Sequence, residues 1–299
     1  LYPDEKHGFT VSLMPSFGHG AVGEPTKAWS GMVVKRMAAL VGGLLTLAGL
    51  VGCGPSESRA DDSLRACFEI WPPYQDLDNL GTPHGVVLDL TQRVLRTLGR
   101  RATYSALPYE RCVAMVRGGE MDMVVSSGGE PGLVTADVHK VVWVIGLFMS
   151  REQAPLRLSA LSELGDLTVG YAQQFQLPAE LRGSPYLRFE TAPDDRLNFR
   201  KLAGGRIDAV ATDVPWAFGL SAWDRVGAVY VPPALAVVPQ PDAFRPGLED
   251  LRDAYSRALG TMRETGEVDS LYEDTLGRSL SEIERTPLLP PRGYGSSAQ

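Results

Sequence analysis

The sequence predicts an α/β chain made of two similarly built halves. Three observations predict it. Strand-like and helix-like patterns alternate from residue 64 onward, a unit of helix, glycine stop and buried strand occurs twice, and two apolar runs stand where the chain would pass between the halves. Such alternation gives mostly parallel sheets covered by helices, because a parallel strand needs a crossover to return.

Taken in order, Leu64–Ile70 reads as a strand, and Trp71-Pro72-Pro73-Tyr74 ends it with prolines that cannot donate to a ladder. Val87, Leu90, Val94 and Leu98 fall at helical spacing in Val86–Leu98, with Gly99 as the stop. Ala102–Ala106 is a short strand, Tyr109–Arg117 a helix closed by Gly118-Gly119, and Met121–Ser126 a buried strand. The second half repeats the plan. Leu161–Leu164 is a short helix, Leu167–Ala172 and Leu187–Thr191 are strands, Asp194–Leu202 is a helix stopped by Gly204-Gly205, and Ile207–Thr212 is a buried strand. The repeated unit is visible in Met115-Val-Arg-Gly-Gly-Glu-Met-Asp122 and Leu202-Ala-Gly-Gly-Arg-Ile-Asp208.

Val141–Met149 and Val229–Val238 are the two crossings, with bending expected near Phe148–Glu152 and Val231–Val238. Lobe 1 is then 64–149 with 235–278, and lobe 2 is 150–234. Gly247–Gly277 is amphipathic and helical, with Leu248, Leu251, Tyr255, Leu259 and Met262 on one face. Residues 279–299 are polar and proline-rich and read as a disordered tail.

Composition narrows the function. Of 299 residues, 44% are hydrophobic and 22% charged, and the net charge is −7, so the basic field of a nucleic-acid binder is missing. Beyond residue 52 only His84 and His139 remain, with no HExxH spacing and no cysteine cluster, so no metal or cofactor is expected. No GxSxG elbow is present.

The start of the chain reads as an export signal. Lys35-Arg36 heads sixteen uncharged, mostly apolar residues at 37–52, short of the ~20 that a membrane-spanning helix needs. Translation is expected to begin at Met32, which makes 1–31 an upstream segment and 32–52 the signal, with 53–63 a polar tether. Leu50-Val51-Gly52-Cys53 resembles a bacterial lipobox, which implies a lipid on Cys53 and a periplasmic, membrane-anchored chain. The plainer alternative is a signal peptide cut near a cysteine. In an oxidising space the remaining pair, Cys67 and Cys112, is expected to form a disulfide; two buried thiols are the alternative.

Between 64 and 278 the chain resembles family 3 extracellular solute-binding proteins, the two-lobed periplasmic clamps of the type 2 periplasmic-binding-protein fold. The residues that carry the resemblance are Trp71-Pro-Pro-Tyr74, Gly85-Val-Val-Leu-Asp89-Leu, Leu107-Pro-Tyr-Glu-Arg-Cys112, Gly119-Glu-Met-Asp122, Leu164-Gly-Asp-Leu-Thr-Val-Gly170 and Gly205-Arg-Ile-Asp-Ala-Val-Ala-Thr-Asp213. It implies capture of a small polar solute, amino acid-like or cationic, by a monomer that hands it to the inner-membrane permease of an ABC importer. The lipid anchor would be its only membrane contact.

By position, Trp71, Tyr74 and Tyr109 resemble the aromatic platform, and Ser126 and Ser127 the strand-end donors. Gln174 and Gln176 resemble the second-lobe donors, and Asp213 the acid that pairs with an ammonium group. Where relatives carry a carboxylate-gripping arginine, this chain has Glu130-Pro-Gly-Leu-Val134 and no arginine before Arg151, so Glu130 joins the candidates as a partner for a cation. Asp122 and Asp208, at strand starts, read as structural. Two alternatives stay open: a sensing module acting in trans on the same clamp, and an enzyme resembling cyclohexadienyl dehydratases with Glu130 as general acid.

Overall fold

Buried Leu64, Ala66, Cys67 and Phe68 give the first strand its hydrophobic character, and everything in the first half is built around it. The computed structural model describes residues 63–173, 175, 177–219 and 227–290. In chain order, the first half consists of β1 (Ser63–Phe68), β2 (Asp76–Leu77), β3 (Pro83–His84), α1 (Val86–Thr97), β4 (Arg101–Ala106), α2 (Tyr109–Arg117) and β5 (Met123–Val124). The long strand β6 (Val134–Ser150) follows. Then come a 3₁₀ turn at Leu161–Glu163, β7 (Leu167–Ala172), α3 (Ala179–Arg182), β8 (Leu187–Ala192), α4 (Asp195–Ala203), β9 (Ala209–Asp213) and α5 (Val214–Gly219). A second long strand, β10 (Ala228–Phe244), leads back to α6 (Glu249–Glu264), α7 (Glu267–Leu276) and α8 (Leu280–Glu284).

The sheet order is β4-β1-β5-β10-β6-β9-β7-β8. β1 is parallel to β4 and β5, and β7 is parallel to β8 and β9, so each half has its own parallel core of three strands. The halves are joined by β6 and β10, 17 residues each, which pair antiparallel to one another. At one end β10 meets β5 (Ala243 opposite Val124), and at the other β6 meets β9 (Ile145 opposite Asp213). The ladder between the two long strands shifts register between Val231 and Ala236, where Pro232 and Pro233 stand.

Helices cover the sheet as the apolar spacing requires. α1 buries Val86, Val87, Leu90, Val94 and Leu95, and α6 buries Tyr255, Leu259 and Met262. Gly85, one residue before α1, has φ 124, and a Cβ there would strike the Tyr74 carbonyl, so the close approach of the Tyr74 turn to the helix start requires glycine. Cys67 and Cys112 form a disulfide that ties β1 to α2, with Cα atoms 5.7 Å apart. It closes a span of 45 residues. On the chain-entropy account that is worth about 4 kcal/mol. Asp122 and Asp208 are structural: Asp122 takes Arg65 and Arg245, and Asp208 accepts from the Thr168 amide.

Four expectations need correction. The helix read over Gly247–Gly277 is two helices, because Gly266 takes a left-handed conformation, φ 79, between them. The strand read over Met121–Ser126 pairs only at Met123–Val124, since Ser126 turns to φ 61 and leaves the ladder. The bend read near Phe148–Glu152 falls inside the second half, where Phe148 already pairs with Val210; the apolar run is continuous and gives no sign of where the partner strand changes. The stretch 279–299, read as a tail, is ordered through 290. Ser279 and Glu282 form a capping box, Leu280, Ile283 and Leu289 are buried, and the Leu289 amide donates to the Ala234 carbonyl at 2.8 Å. Residues 291–299 and the segments 1–31, 32–52 and 53–63, Cys53 included, lie outside the described residues. No helix among the described residues is long and apolar enough to cross a membrane.

Candidate functional site

Strand ends converge where the halves face each other. The turn after β1, the start of α2 and the loop after β5 come from the first half. The ends of β7 and β9 and the starts of α4 and α5 come from the second, which is where open parallel sheets place a ligand crevice. Between them lies a cavity of about 290 Å³.

Its walls are aromatic. Trp71, Tyr109, Trp143, Phe175 and Trp216 all line it. Trp143 stacks on Phe175 with ring centroids 4.3 Å apart and planes 12° apart, and Trp71 meets Trp143 edge-on at 6.0 Å. Trp143 sits on β6 opposite Val238 of β10, so the long strands supply part of the wall themselves. Tyr74 underlies Trp71 at 4.7 Å.

The polar lining is acidic. Glu69, Asp194, Asp195 and Asp213 face the cavity, and no lysine, arginine or histidine among the described residues does. Asp213 ends β9 and is fully buried. It accepts from the Val144 amide at 2.8 Å, the Trp216 amide at 3.1 Å and Trp71 Nε1 at 3.2 Å. Burial pushes its carboxyl up to about 7, against the pull of those three donors. Asp195 accepts from Thr212 Oγ1 at 2.6 Å and Asn198 Nδ2 at 3.1 Å, and burial raises it to about 6. Burial also raises Glu69, opposed by a hydrogen bond from the Tyr109 amide. Asp194 caps α4, accepting from the Leu197 amide at 2.7 Å.

A buried ionic cluster supports the floor. Lys140 and Tyr255 both donate to Asp242 Oδ2, and Asp242 Oδ1 accepts from the Ser126 amide at 3.0 Å. This fixes Ser126 in its left-handed conformation, with its Oγ donating to Gln75 Oε1 at 3.2 Å.

Of the residues singled out from sequence, Trp71, Tyr109, Ser126 and Asp213 are brought together around the cavity. Three are not. Tyr74 is buried below Trp71. Ser127 is fully buried, its Oγ accepting from the Gly129 amide at 3.1 Å. Glu130 lies behind Tyr109, whose hydroxyl donates to it at 2.8 Å, with Arg117 3.9 Å away on its other side. Gln174 and Gln176 lie outside the described residues.

Sequence reasoning missed Glu69, Gln75, Trp143, Asp195, Thr212, Trp216 and Gln240. A signal existed for Asp195: a second acid directly after a helix cap, with a one-turn partner in Asn198. For Trp143 there was none, because a tryptophan inside an apolar run reads as core.

No protein-family model and no curated protein matches the chain. Solved structures do. An ancestral arginine-binding protein bound to arginine aligns with TM-score 0.59 and 20% identity, over 72% of this chain and 99% of that one. A putative binding component of an ABC transporter from Wolinella succinogenes, complexed with lysine, aligns with TM-score 0.61 and 16% identity, over 72% and 95%. A histidine kinase sensor domain with similarity to periplasmic binding proteins aligns with TM-score 0.60 and 19% identity, over 73% and 97%. The fold is therefore the two-lobed α/β fold of type 2 periplasmic binding proteins.

Proposed function

We propose that the chain is an extracytoplasmic solute-binding clamp. It closes by hinge motion on one small polar solute and delivers it to the membrane permease of an ABC importer. The observation that carries this reading is the cavity of about 290 Å³ whose walls come from both halves. Trp71 of the first half reaches Asp213 of the second across it. The two long strands offer the hinge, since their ladder lapses between Val231 and Ala236. A lipid on Cys53 would hold the clamp at a membrane, and the polar residues after it would serve as a tether. The likeness to arginine- and lysine-complexed binding proteins supports solute capture.

A second reading is favoured by the likeness to a histidine kinase sensor domain: the same clamp reporting a solute to a membrane partner in trans. The dehydratase-like alternative loses its named acid, because Glu130 is occupied by Tyr109 and does not line the cavity.

The test is a thermal-shift screen of the full chain against amino acids, amines, quaternary ammonium compounds and small carboxylates. A ligand at 100 times its Kd adds about 2.7 kcal/mol of stability. A clear upward shift with one class supports capture. No shift with any of them contradicts it.

A further inference from the structure

Taking the clamp reading as its basis, we infer that the solute is an organic cation that carries no carboxylate: an alkyl amine, a guanidine or a quaternary ammonium compound. Two independent sets of contacts converge on this.

The first is what the cavity offers. Four carboxylates face it together with the rings of Trp71, Tyr109, Trp143, Phe175 and Trp216. A desolvated cation gains from both kinds of surface, through charge pairing and through the electron-rich ring faces. An anionic group gains from neither.

The second is what the cavity withholds. A ligand carboxylate needs donors, and many of the donors around this cavity already serve the chain's own acceptors. In the first half, the amides of four consecutive residues are taken: Ser126 by Asp242 Oδ1 at 3.0 Å, Ser127 by the Pro241 carbonyl at 2.6 Å, Gly128 by the Tyr109 hydroxyl oxygen at 3.2 Å, and Gly129 by Ser127 Oγ at 3.1 Å. One amide at each of the three helix starts facing the cavity is taken by a carboxylate: Tyr109 by Glu69, Leu197 by Asp194, and Trp216 by Asp213. Side-chain donors follow suit. Trp71 Nε1 serves Asp213, Thr212 Oγ1 serves Asp195, Gln75 Nε2 serves the Glu69 carbonyl and Gln240 Nε2 the Val238 carbonyl. A carboxylate, by contrast, offers about four acceptor sites, so Asp213 with three donors and Glu69 with the Tyr109 amide each keep a site for a cation. A carboxylate entering here would meet four carboxyl groups and, among the described residues, only neutral donors such as the indole N–H groups of Trp143 and Trp216 and the second amide hydrogens of Gln75 and Gln240, with no cation to offset the loss of its hydration.

The experiment compares ligands that differ only in the carboxylate. Calorimetric titrations of the full chain at pH 7.5 pair agmatine with arginine, cadaverine with lysine, and choline with glycine betaine, and glutamine and glutamate complete the panel. The inference expects at least one carboxylate-free cation to bind, and to bind tenfold or more tighter than its carboxylated partner. Arginine or lysine binding as tightly as its decarboxylated partner, or tighter, would overturn the inference and leave the clamp standing. Binding of glutamine or glutamate without any cation would do the same. If no ligand of the panel binds, the inference is overturned, and the thermal-shift screen separately decides whether the clamp reading falls with it.

Discussion

Trp71 Nε1 donates to Asp213 Oδ2 at 3.2 Å, joining the turn after the first strand of one half to the last residue of a strand in the other. The two residues are 142 positions apart, and their hydrogen bond closes the cavity wall between the halves. Asp213 also accepts from the first turn of its following helix, at the Trp216 amide. The helix-cap role and the cleft role thus fall on one carboxylate. Trp71→Phe keeps most of the ring and removes the donor. A hydrogen bond to a charged acceptor contributes about 1.5–3 kcal/mol, so ligand affinity is expected to fall by roughly tenfold or more in calorimetric titration. Unchanged affinity would show that this bond does not help closure.

The buried acids predict a pH dependence with a definite sign. Burial holds Asp213 at about 7 and Asp195 at about 6, both above the value of an unfolded carboxyl, near 4. Between pH 4 and 7 the unfolded chain has therefore released protons that the folded chain retains, so ligand-free stability falls as pH rises through that window. Cation affinity runs the opposite way, because pairing needs the ionised carboxyl. The urea midpoint without ligand is expected to be lower at pH 8 than at pH 5, while affinity for a cation is several-fold higher at pH 8. A flat affinity profile would remove these acids from the site.

Asp122 predicts the reverse behaviour in acid. Burial disfavours its charge, but hydrogen bonds from the Arg65 side chain and backbone and from Arg245 outweigh that and hold it at about 2. Its folded value lies below the unfolded one, so its stabilising contribution is present above pH 4 and is lost as pH falls toward 2. Asp122→Asn is expected to lower stability at pH 6 and to flatten the loss between pH 4 and 2, read from denaturant midpoints. A variant with an unaltered acid limb would contradict the assignment.

Lys140 is fully buried and donates to Asp242, which holds Ser126 in place. Lys140→Met leaves Asp242 in the interior without its cation, a change that typically costs about 3–5 kcal/mol. The same variant should weaken ligand binding, because Ser126 and Gln75 line the cavity on that support. Denaturant unfolding and titration of the one variant check both. Loss of stability with full affinity would separate the cluster from the site.

Most of the architecture was legible in sequence because it rests on local signals. Helix Tyr109–Arg117 and strand Leu167–Ala172 fall where proline, glycine and apolar spacing put them. The cysteine pair followed from compartment and number. What the sequence hid depends on partners far along the chain. Ser126 leaves its strand early because Asp242, 116 positions away, takes its amide. Glu130 reads as a candidate cleft acid because it stands past the serine pair, where the resembled proteins carry an arginine, and the Tyr109 hydroxyl holds it behind the wall. Trp143 and Val238 belong to apolar runs that read only as crossings, yet their pairing in the long strands makes them cavity wall. The ordered segment after Ser279 did carry a local sign, Ser279 with Glu282 three residues on, which its prolines and polar residues masked.

Closure of two halves on a solute makes the protein more compact, and small-angle X-ray scattering of the full chain reads that change. With the best ligand of the thermal-shift screen at saturation, the radius of gyration is expected to decrease, and Trp71→Ala is expected to blunt the change. Superimposable scattering curves with and without a ligand that calorimetry shows to be bound would contradict closure.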